Sequence, residues 1–389
     1  MSEFDLVIVG GGPAGSMTAL KAAEQGYAVL MVERDNTIGS PVRCAEAVDR
    51  KGLIEFFEPD ASWVSSNISG YALIAPDDTV VEINIGESEG YILERLIFDR
   101  MIAENAAGAG AVVMTGTEAV GLSGYQGGRR TITLRNDERE WTVKTRIVIA
   151  ADGVESRVAR WAGLKTHAAL HDMETCAQYV LAGIPFDPHR FHMYFTREFA
   201  PGGYAWVFPK GPRTANVGLG ISGDNAAETS PRRYLDAFIA RHFPGGSVVS
   251  KTYGGITCSG GISCMVADGL MVAGDAAHMA NPFTGGGIVN AMIAGSLAVQ
   301  TADEALKRGT TERSALAPYE KRFNKRIGKE NRLFYKIKEG IVDITDEQFN
   351  RIAHEIVRLP IEKRTPVRVL QSALLKQPKL LLLLAKVIL

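Results

Sequence analysis

A run of glycines directly after an apolar segment is the feature that most constrains this chain. The segment Phe4–Val9 is almost wholly apolar, as expected for a strand buried on both faces of a parallel sheet. The run GGGPAG at Gly10–Gly15 follows it, then a helical pattern over Ala14–Gln25 and a second apolar segment at Ala28–Val32. The order strand, glycine turn, helix, strand predicts a βαβ unit at the start of the fold.

The glycine run has the spacing GxGxxG, which is typical of a turn that carries a dinucleotide. In that role Gly10 permits the tight turn, Gly12 lets the backbone approach a pyrophosphate and Gly15 lets the helix pack against the strand. The helix N-terminus offers free N–H groups and a partial positive charge to the phosphates. Glu33, at the end of the second strand, is suited to the ribose hydroxyls of FAD or NAD. A plain glycine-rich turn is the alternative, which the flanking strand and helix disfavour.

Two later segments favour FAD over NAD. Residues 147–153 (IVIAADG) and 270–275 (LMVAGD) each read as a strand that ends in small residues and an Asp. The carboxylate of Asp275 can accept hydrogen bonds from ribityl hydroxyls. The backbone amides of Gly285–Ile288 can receive the flavin pyrimidine edge, where negative charge develops on reduction. Each short Asp-containing turn alone is uninformative, but the three segments in this order predict an FAD site. His278 is predicted to pack under its loop rather than act as a base.

The nucleotide segments alternate along the chain with segments rich in β-branched and aromatic residues, which predict an antiparallel sheet. We therefore predict an α/β protein in which a Rossmann-type FAD-binding domain is interleaved with an antiparallel-sheet substrate domain, followed by C-terminal helices. The predicted boundaries of these three parts, in that order, are 1–65 with 91–170 and 263–310, then 66–90 with 171–262, and finally 311–389.

Composition excludes several classes of function. The 43 Lys and Arg residues balance 44 Asp and Glu residues, and a net charge of −1 disfavours wholesale binding to nucleic acid. The four cysteines form no CxxC pair and have no nearby His pair, so we expect no metal site and reduced thiols. Neither a secretory signal peptide nor an apolar run of roughly 18 residues is evident, so the sequence predicts a cytoplasmic protein.

Four motifs in a fixed order carry a resemblance to a known family. They are GGGPAG at 10–15, RLIFDR at 95–100, ADG at 151–153 and GDAAH at 274–278. Through them the chain resembles the FAD-dependent family typified by para-hydroxybenzoate hydroxylase. Within that family it looks most like the geranylgeranyl reductases, including the archaeal-type digeranylgeranylglycerophospholipid reductases. The stretches that carry the narrower resemblance are PVRCAE at 41–46, YAWVFPK at 204–210 with ANVGLG at 215–220, and the run 268–288.

The resemblance implies which residues contact FAD. Arg95 would contact the flavin region, and the backbone of Ala119 would meet the adenine. Position 47 is usually Gly in the family and is Ala47 here, so the backbone contact at this position departs from the family's pattern. The implied FAD-binding residues, beside Gly10, Gly12 and Gly15 of the turn, are Ala14, Glu33, Cys44, Ala45, Ala47, Arg95, Ala119, Asp275, Gly287 and Ile288.

Cys44 and one aromatic strand are the candidates for contact with substrate. A thiol against the flavin is suited to proton delivery or redox tuning, whereas a free Cys is otherwise a small buried hydrophobe. Tyr204, Trp206 and Phe208 alternate along one strand and therefore project from one face. Such a face can pack against its own core, but the resemblance implies that it lines the tunnel for a long isoprenoid chain.

The C-terminal end is basic and rich in leucine, and after Glu362 the chain has no acidic residue. A basic amphipathic helix on an anionic membrane and a helix docked on the body both fit this pattern. Peripheral contact with the inner face of the cell membrane is therefore an open alternative. The basic residues of this end are Lys363, Arg364, Arg368, Lys376, Lys379 and Lys386.

Together these observations predict a flavin-dependent reductase that saturates C=C bonds of geranylgeranyl chains. The substrate would be a membrane-lipid precursor, either a digeranylgeranylglycerophospholipid or geranylgeranyl diphosphate. The alternatives are a monooxygenase or halogenase of the same superfamily and a non-catalytic electron-transfer flavoprotein. A second GxGxxG is missing from the sequence, which leaves NADPH, ferredoxin or another carrier as the electron donor.

Overall fold

The fold is taken from a computed structural model, which describes residues 3–85, 89–227, 229–342 and 344–375. In chain order the strands are β1 (Glu3–Val9), β2 (Val29–Val32), β3 (Ala47–Asp49), β4 (Val64–Ile68), β5 (Gly70–Ile74), β6 (Val80–Asn84), β7 (Gly90–Leu93), β8 (Val112–Met114), β9 (Glu118–Leu122), β10 (Arg130–Arg135), β11 (Glu140–Ala150), β12 (Met173–Ala182), β13 (Arg190–Tyr194), β14 (Tyr204–Pro209), β15 (Thr214–Ser222), β16 (Ser247–Thr257), β17 (Val266–Ala267) and β18 (Leu270–Val272).

The helices occur mainly between the strands of the first half and at the C-terminal end. In chain order they are α1 (Pro13–Glu24), α2 (Arg50–Leu53), α3 (Arg95–Gly108), α4 (Arg157–Trp161), α5 (Pro231–His242), α6 (Ile288–Lys307), α7 (Arg313–Leu316), α8 (Pro318–Phe323), α9 (Lys329–Ile341), α10 (Asp346–Val357) and α11 (Pro366–Leu375). A π-helical turn at Asn324–Gly328 joins α8 to α9. No helix in the described part of the chain is long and apolar enough to cross a membrane.

The first compact unit comprises the chain up to Val42, Arg95–Ala168 and Thr257–Leu333. Its sheet has the order β17-β18-β11-β1-β2-β8, in which β18, β11, β1, β2 and β8 run parallel. The predicted βαβ unit is β1, α1 and β2, whose strand β2 is buried along its whole length. Since parallel strands present their carboxyl ends at one edge, the loops after β1, β2, β11 and β18 meet there.

The second compact unit comprises Arg43–Glu94, Ala169–Ile256 and the chain from Phe334 onward. Its main sheet has the order β16-β12-β15-β14-β13-β5-β6. One face of this sheet packs on α5 through a cluster that includes Tyr179, Leu219 and Phe238. A separate small sheet has the order β3-β7-β4.

The unit boundaries differ from the predicted domain boundaries by a few residues at most ends and by longer stretches at two places. Residues 43–65, predicted with the FAD-binding domain, fall in the second unit because β3 and β4 both pair with β7. The predicted C-terminal helical region is divided, and 311–333 fall in the first unit. There α8 packs against α6, and the Tyr319 hydroxyl donates to the Val272 carbonyl at 2.9 Å.

The fold class was predicted correctly, but several elements were not. The substrate sheet was predicted to be antiparallel, yet β13 pairs with β5 in parallel. This pairing joins segments more than a hundred residues apart, which local sequence patterns do not reveal. The strand β9 and the helix α5 were not predicted. The tail residues Lys376, Lys379 and Lys386 lie outside the described residues.

Candidate active site

The glycine turn after β1 has the geometry that a bound pyrophosphate requires. Gly10 has a φ of 106°, and a Cβ there would overlap the Ala151 carbonyl. A Cβ at Gly15 would overlap the Gly10 carbonyl, so the turn and α1 pack in direct contact. By contrast, a Cβ at Gly12 would meet nothing within 4 Å. The open space lies at the N-terminus of α1, where backbone N–H groups and the helix dipole favour an anion.

The carboxylate of Glu33 is fixed beside this turn. Its Oε2 accepts from the Gly11 backbone N–H at 2.7 Å, and its Oε1 accepts from the Asp35 N–H at 2.9 Å. Each carboxylate oxygen can accept more than one hydrogen bond. Glu33 therefore retains acceptor capacity for ribose hydroxyls at the position the sequence predicts.

Asp275 and Arg95 belong to the same unit and interact electrostatically. Asp275 is the second residue of the short turn Gly274–Ala277 after β18, and its Oδ1 would lie 3.4 Å from a Cβ built on Gly287. Burial raises the pKa of the Asp275 carboxyl, while the charge of Arg95 acts to lower it. Arg95 is oriented by a two-point ion pair with Asp99, with N–O distances of 2.7 Å and 2.5 Å.

Three asparagines hold the loop between Asp275 and α6, and sequence reasoning did not single them out. The Asn281 side-chain oxygen accepts from the N–H groups of Phe283 and Thr284 at 2.9 Å and 3.1 Å. Asn290 and Asn331 both donate to the Met279 carbonyl, at 2.8 Å and 3.1 Å. The loop delivers the chain to Gly287 at the start of α6, where no side chain of a described residue caps the helix.

His278 is a structural residue of the same loop. It is only 4% exposed. Its Nδ1 lies 3.0 Å from the Ser259 hydroxyl, and its Nε2 lies 3.0 Å from the Thr166 carbonyl. Because both ring nitrogens have partners within the protein, the imidazole packs under its loop as predicted.

The predicted FAD-binding residues fall into two groups. Those of the first unit lie at the ends of β1, β2 and β18, at the starts of α1, α3 and α6, and on β9: Gly10, Gly12, Ala14, Gly15, Glu33, Arg95, Ala119, Asp275, Gly287 and Ile288. A backbone hydrogen bond joins two of these segments: the Thr117 N–H, just before β9, donates to the Glu33 carbonyl, just after β2, at 2.8 Å. Those of the second unit are Cys44, Ala45 and Ala47.

The segment that contains Cys44 is bound to the main sheet of the second unit. The Cys44 carbonyl accepts from Gln178 Nε2 at 2.9 Å, and Gln178 Oε1 accepts from Trp206 Nε1 at 3.0 Å. The Glu46 backbone N–H points at Cys44 Sγ at 3.2 Å. The thiol itself is half-buried. The Cys44 segment and the aromatic strand, two separate sequence motifs, thus belong to one hydrogen-bonded assembly.

Tyr204, Trp206 and Phe208 project from one face of β14, opposite the face that packs on α5. Adjacent rings along the strand are 5.9 Å and 6.3 Å apart between centroids. Phe191 of β13 lies edge-on to Phe208 at 5.1 Å. Ile68 and Ile92 complete this apolar cluster, in which Trp206 and Phe208 are buried.

Comparison with known proteins matches one segment of each unit to a known family. Residues 5–41 match the FAD dependent oxidoreductase model, and residues 172–256 match the geranylgeranyl reductase catalytic domain. A protein of Methanosphaerula palustris named digeranylgeranylglycerophospholipid reductase is 43% identical and is aligned over 98% of this chain and 96% of its own. A protein of Methanocella arvoryzae with the same name is 41% identical, with 98% of each chain aligned.

Solved structures agree with this result. A geranylgeranyl bacteriochlorophyll reductase-like protein from Thermoplasma acidophilum superposes with a TM-score of 0.93 at 32% identity, covering 99% of both chains. A flavin-dependent brominase superposes with a TM-score of 0.73 at 17% identity, covering 99% of this chain and 98% of its own, and so shares the fold alone.

The parallel sheet with its three nucleotide loops, together with these matches, defines an FAD-dependent oxidoreductase. Because its relatives are aligned over nearly the full length at about 40% identity, the chain belongs to the digeranylgeranylglycerophospholipid reductase family. The predicted family, the cofactor FAD and the enzyme class are thereby confirmed.

Proposed function

We propose that this enzyme acts on CH–CH groups and saturates the C=C bonds of geranylgeranyl chains, with a digeranylgeranylglycerophospholipid as substrate and geranylgeranyl diphosphate as the second choice. The observation that carries the proposal is a strip of side chains across the main sheet of the second unit. The strand register places five residues as successive neighbours on one face: Leu73, Met193, Trp206, Gly218 and Gln178. A strip that is apolar over most of its length suits a long hydrocarbon chain, whose burial stabilises binding by about 0.8 kcal/mol per CH₂.

The FAD contacts in the proposal follow the geometry of the first unit. The space at Gly12 and the start of α1 would receive the pyrophosphate, and Glu33 would accept from the ribose. Asp275 would accept from ribityl hydroxyls, and the amides of Gly287 and Ile288 would hold the pyrimidine edge. When bound and reduced, FAD supplies the hydride for the alkene. The remaining task of the protein is to orient the alkene, exclude water and provide one proton.

Cys44 is the proposed proton donor. An isolated alkene is a weak acceptor of hydride, so an acid must protonate one carbon as hydride reaches the other. A thiol can do so only if the resulting thiolate is stabilised. The Glu46 N–H at 3.2 Å from Cys44 Sγ supplies one such stabilising hydrogen bond.

A direct test uses the FAD-loaded enzyme under anaerobic conditions. The flavin is reduced with dithionite, which makes the test independent of the natural electron donor, and a digeranylgeranyl phospholipid is added. The proposal predicts lipids heavier by two hydrogens per reduced bond, as measured by mass spectrometry. Unchanged lipid, together with oxygen consumption when an aromatic substrate is added in air, would instead support a monooxygenase or halogenase.

Replacement of Cys44 tests the proton donor separately. Cys44→Ala is expected to retain flavin absorbance and to lose turnover by a factor of about 10²–10⁴, the usual contribution of general acid catalysis. Cys258→Ala, a buried thiol of the first unit, is the matched control and should retain turnover. An unchanged rate in Cys44→Ala would remove Cys44 from proton transfer.

We also propose that the C-terminal end contacts an anionic lipid surface. Within the described residues, Lys363 and Arg368 are exposed, and so are Ile361 and Val367, the latter at 63%. Arg364, by contrast, donates to the Leu359 and Val357 carbonyls and so fixes this segment to the end of α10. A basic and apolar surface of this kind binds anionic membranes.

The membrane proposal is tested by co-sedimentation with vesicles that contain phosphatidylglycerol. The variant Lys363→Glu/Arg368→Glu and deletion of the residues after Pro366 are both expected to weaken binding, and added salt should do the same. The control Lys21→Glu/Arg100→Glu changes the net charge equally in the first unit. Equal binding of all variants would show that the end is simply docked on the body.

A further inference from the structure

Glu46, two residues after Cys44, has an unusual backbone conformation. Its φ is 70°, in the left-handed region that residues with a Cβ rarely adopt. The residue is also buried, with 3% of its surface exposed. A buried carboxylate in a strained backbone conformation persists only when surrounding contacts hold it.

Two side chains of the main sheet supply those contacts. Lys210, which follows β14, has its Nζ 2.6 Å from Glu46 Oε2, and Asn216 of β15 donates to the same oxygen at 2.7 Å. Lys210 also donates to the Leu93 carbonyl at 3.1 Å, and its Nζ lies 2.8 Å from Glu94 Oε2. Lys210 is nearly buried, and Asn216 is fully buried. The ion pair is therefore little screened by water.

The same contacts fix the backbone around the thiol. Asn216 Nδ2 donates to the Ala45 carbonyl at 3.2 Å in addition to Glu46. Gln178 holds the Cys44 carbonyl on the other side. The positive φ of Glu46 sets how the Ala45–Glu46 peptide plane, which carries the Glu46 N–H, is rotated relative to the Glu46 side chain. The Lys210–Glu46–Asn216 contacts anchor that side chain and so help to hold the N–H toward Cys44 Sγ.

We propose that Glu46 is a positioning residue for Cys44, anchored by Lys210 and Asn216, and that its backbone N–H stabilises the thiolate left after proton transfer. This inference rests on the proposed function, in which Cys44 gives its proton to an alkene carbon as hydride reaches the other. The sulfur keeps the electron pair of the broken S–H bond, and a proton from water later restores the thiol. The Lys210 charge meanwhile offsets the Glu46 carboxylate, which would otherwise disfavour a thiolate nearby.

The thiol environment also contains other ionisable groups, which the test must take into account. On its own segment these are Arg43 and Glu46, and on the packed elements they are Lys210, Glu94 after β7 and Cys176 on β12. Among these residues, Glu46 alone combines a left-handed backbone with an N–H that points at Cys44 Sγ. Two substitutions of Glu46 therefore separate its backbone role from its charge.

The experiment compares Glu46→Ala with Glu46→Gly in the FAD-loaded enzyme. Both variants lose the carboxylate, but Gly adopts a positive φ readily and Ala does not. The rate at which iodoacetamide alkylates Cys44 is measured against pH, with peptide mass spectrometry to separate Cys44 from the other cysteines. Because both variants lose the carboxylate, its effect cancels between them. We therefore expect the pH midpoint of Cys44 alkylation to be about one unit higher in Glu46→Ala than in Glu46→Gly, since only Ala loses the N–H bond to the charged acceptor.

Turnover provides the second measurement. In Glu46→Ala kcat is expected to fall about tenfold while KM for the lipid changes little, and Lys210→Arg, which keeps the ion pair, should retain most of kcat. Lys307→Met, which removes an exposed ion pair with Asp303, is the control and should match the parent in both measurements. If Glu46→Ala unfolds, Lys210→Met takes its place. Because it removes the anchor of Glu46, its pH midpoint of Cys44 alkylation should lie above those of the parent and of Glu46→Gly, and an unchanged midpoint would overturn the inference.

Equal alkylation midpoints in Glu46→Ala and Glu46→Gly would overturn the inference. Alkylation requires no turnover, so it tests Glu46 even if the lipid is not reduced. Failure of the proposed function is seen instead as lipid that gains no hydrogen with the parent enzyme.

Discussion

At the scale of single residues, Glu174 is a carboxyl group whose surroundings strongly alter its chemistry. It lies at the start of β12, is 9% exposed, and has no hydrogen-bond partner for Oε2 among the described residues. Its nearest cation is Lys338 of α9, whose Nζ is 4.0 Å from Oε1. Burial raises the pKa of Glu174 to about 7, although the charge of Lys338 acts against it. Sequence reasoning missed this residue, because no local motif marks a carboxyl that the fold buries.

The raised pKa predicts how stability depends on pH. As the pH rises above the pKa of Glu174 in the unfolded chain, about 4.3, the unfolded state releases this proton first. The folded state therefore loses stability relative to the unfolded state. The loss grows until the folded group ionises near pH 7 and is constant above that. Glu174→Gln removes this ionisation, so the variant should not lose stability in this way. Its free energy of unfolding minus that of the parent should therefore increase by roughly 2–3 kcal/mol between pH 4.5 and pH 8.

Urea denaturation at pH 4.5 and pH 8 measures this difference. Glu104→Gln removes an exposed carboxylate of α3 and is the matched control, for which the difference should be close to zero. A Glu174→Gln difference that does not change with pH would show that Glu174 has an ordinary pKa.

At the scale of elements, the close contact between α1 and α6 supports the nucleotide turn. A Cβ at Gly295 of α6 would lie 2.7 Å from the Ala14 carbonyl and 2.8 Å from Thr18 Oγ1. Thr18 is itself hydrogen-bonded to the Ala14 carbonyl at 2.7 Å. The spacing between the two helices is therefore set by the absence of a side chain at Gly295.

Gly295→Ala should separate α1 from α6 and shift the amides that face the pyrophosphate space. Overpacking of this kind lowers folding stability by about 1–3 kcal/mol, and we expect the variant to bind FAD more weakly as well. Gly108→Ala in α3 is the control, because its Cβ would meet nothing within 4 Å and Ala is the better helix former. Fluorescence titration of the apoprotein with FAD compares the two, and equal affinities would contradict the prediction.

Elements also show what sequence patterns can and cannot reveal. The β1–α1–β2 unit was predicted because its glycines, apolar strands and helix lie within one short segment. The pairing of β5 with β13 and the ion pair of Glu46 with Lys210 join segments more than a hundred residues apart. Nothing in the local pattern around Glu46 indicates a buried carboxylate with a positive φ. The aromatic alternation on β14 predicted a shared face, but which elements cover that face depends on tertiary packing.

At the scale of the whole molecule, FAD is expected to contribute to stability as a ligand of the first unit. A ligand that binds only the folded state stabilises it by about 2.7 kcal/mol when its free concentration is a hundred times Kd. Removal of FAD should therefore lower the thermal midpoint, and added FAD should raise it with the logarithm of its concentration. Differential scanning calorimetry of apoprotein and holoprotein checks this. A midpoint that does not depend on FAD would contradict the assignment of the nucleotide site.

The interleaving of the two units has a consequence for biosynthesis. The strand β11 pairs with both β1 and β18, and β5 pairs with β13, so each sheet joins strands that leave the ribosome far apart in time. At about 5–20 residues per second, the earliest strands wait several seconds or more for their partners. Apolar strands such as β1 and β2 are then exposed in the nascent chain, and exposure of this kind favours aggregation until residue 272 has emerged.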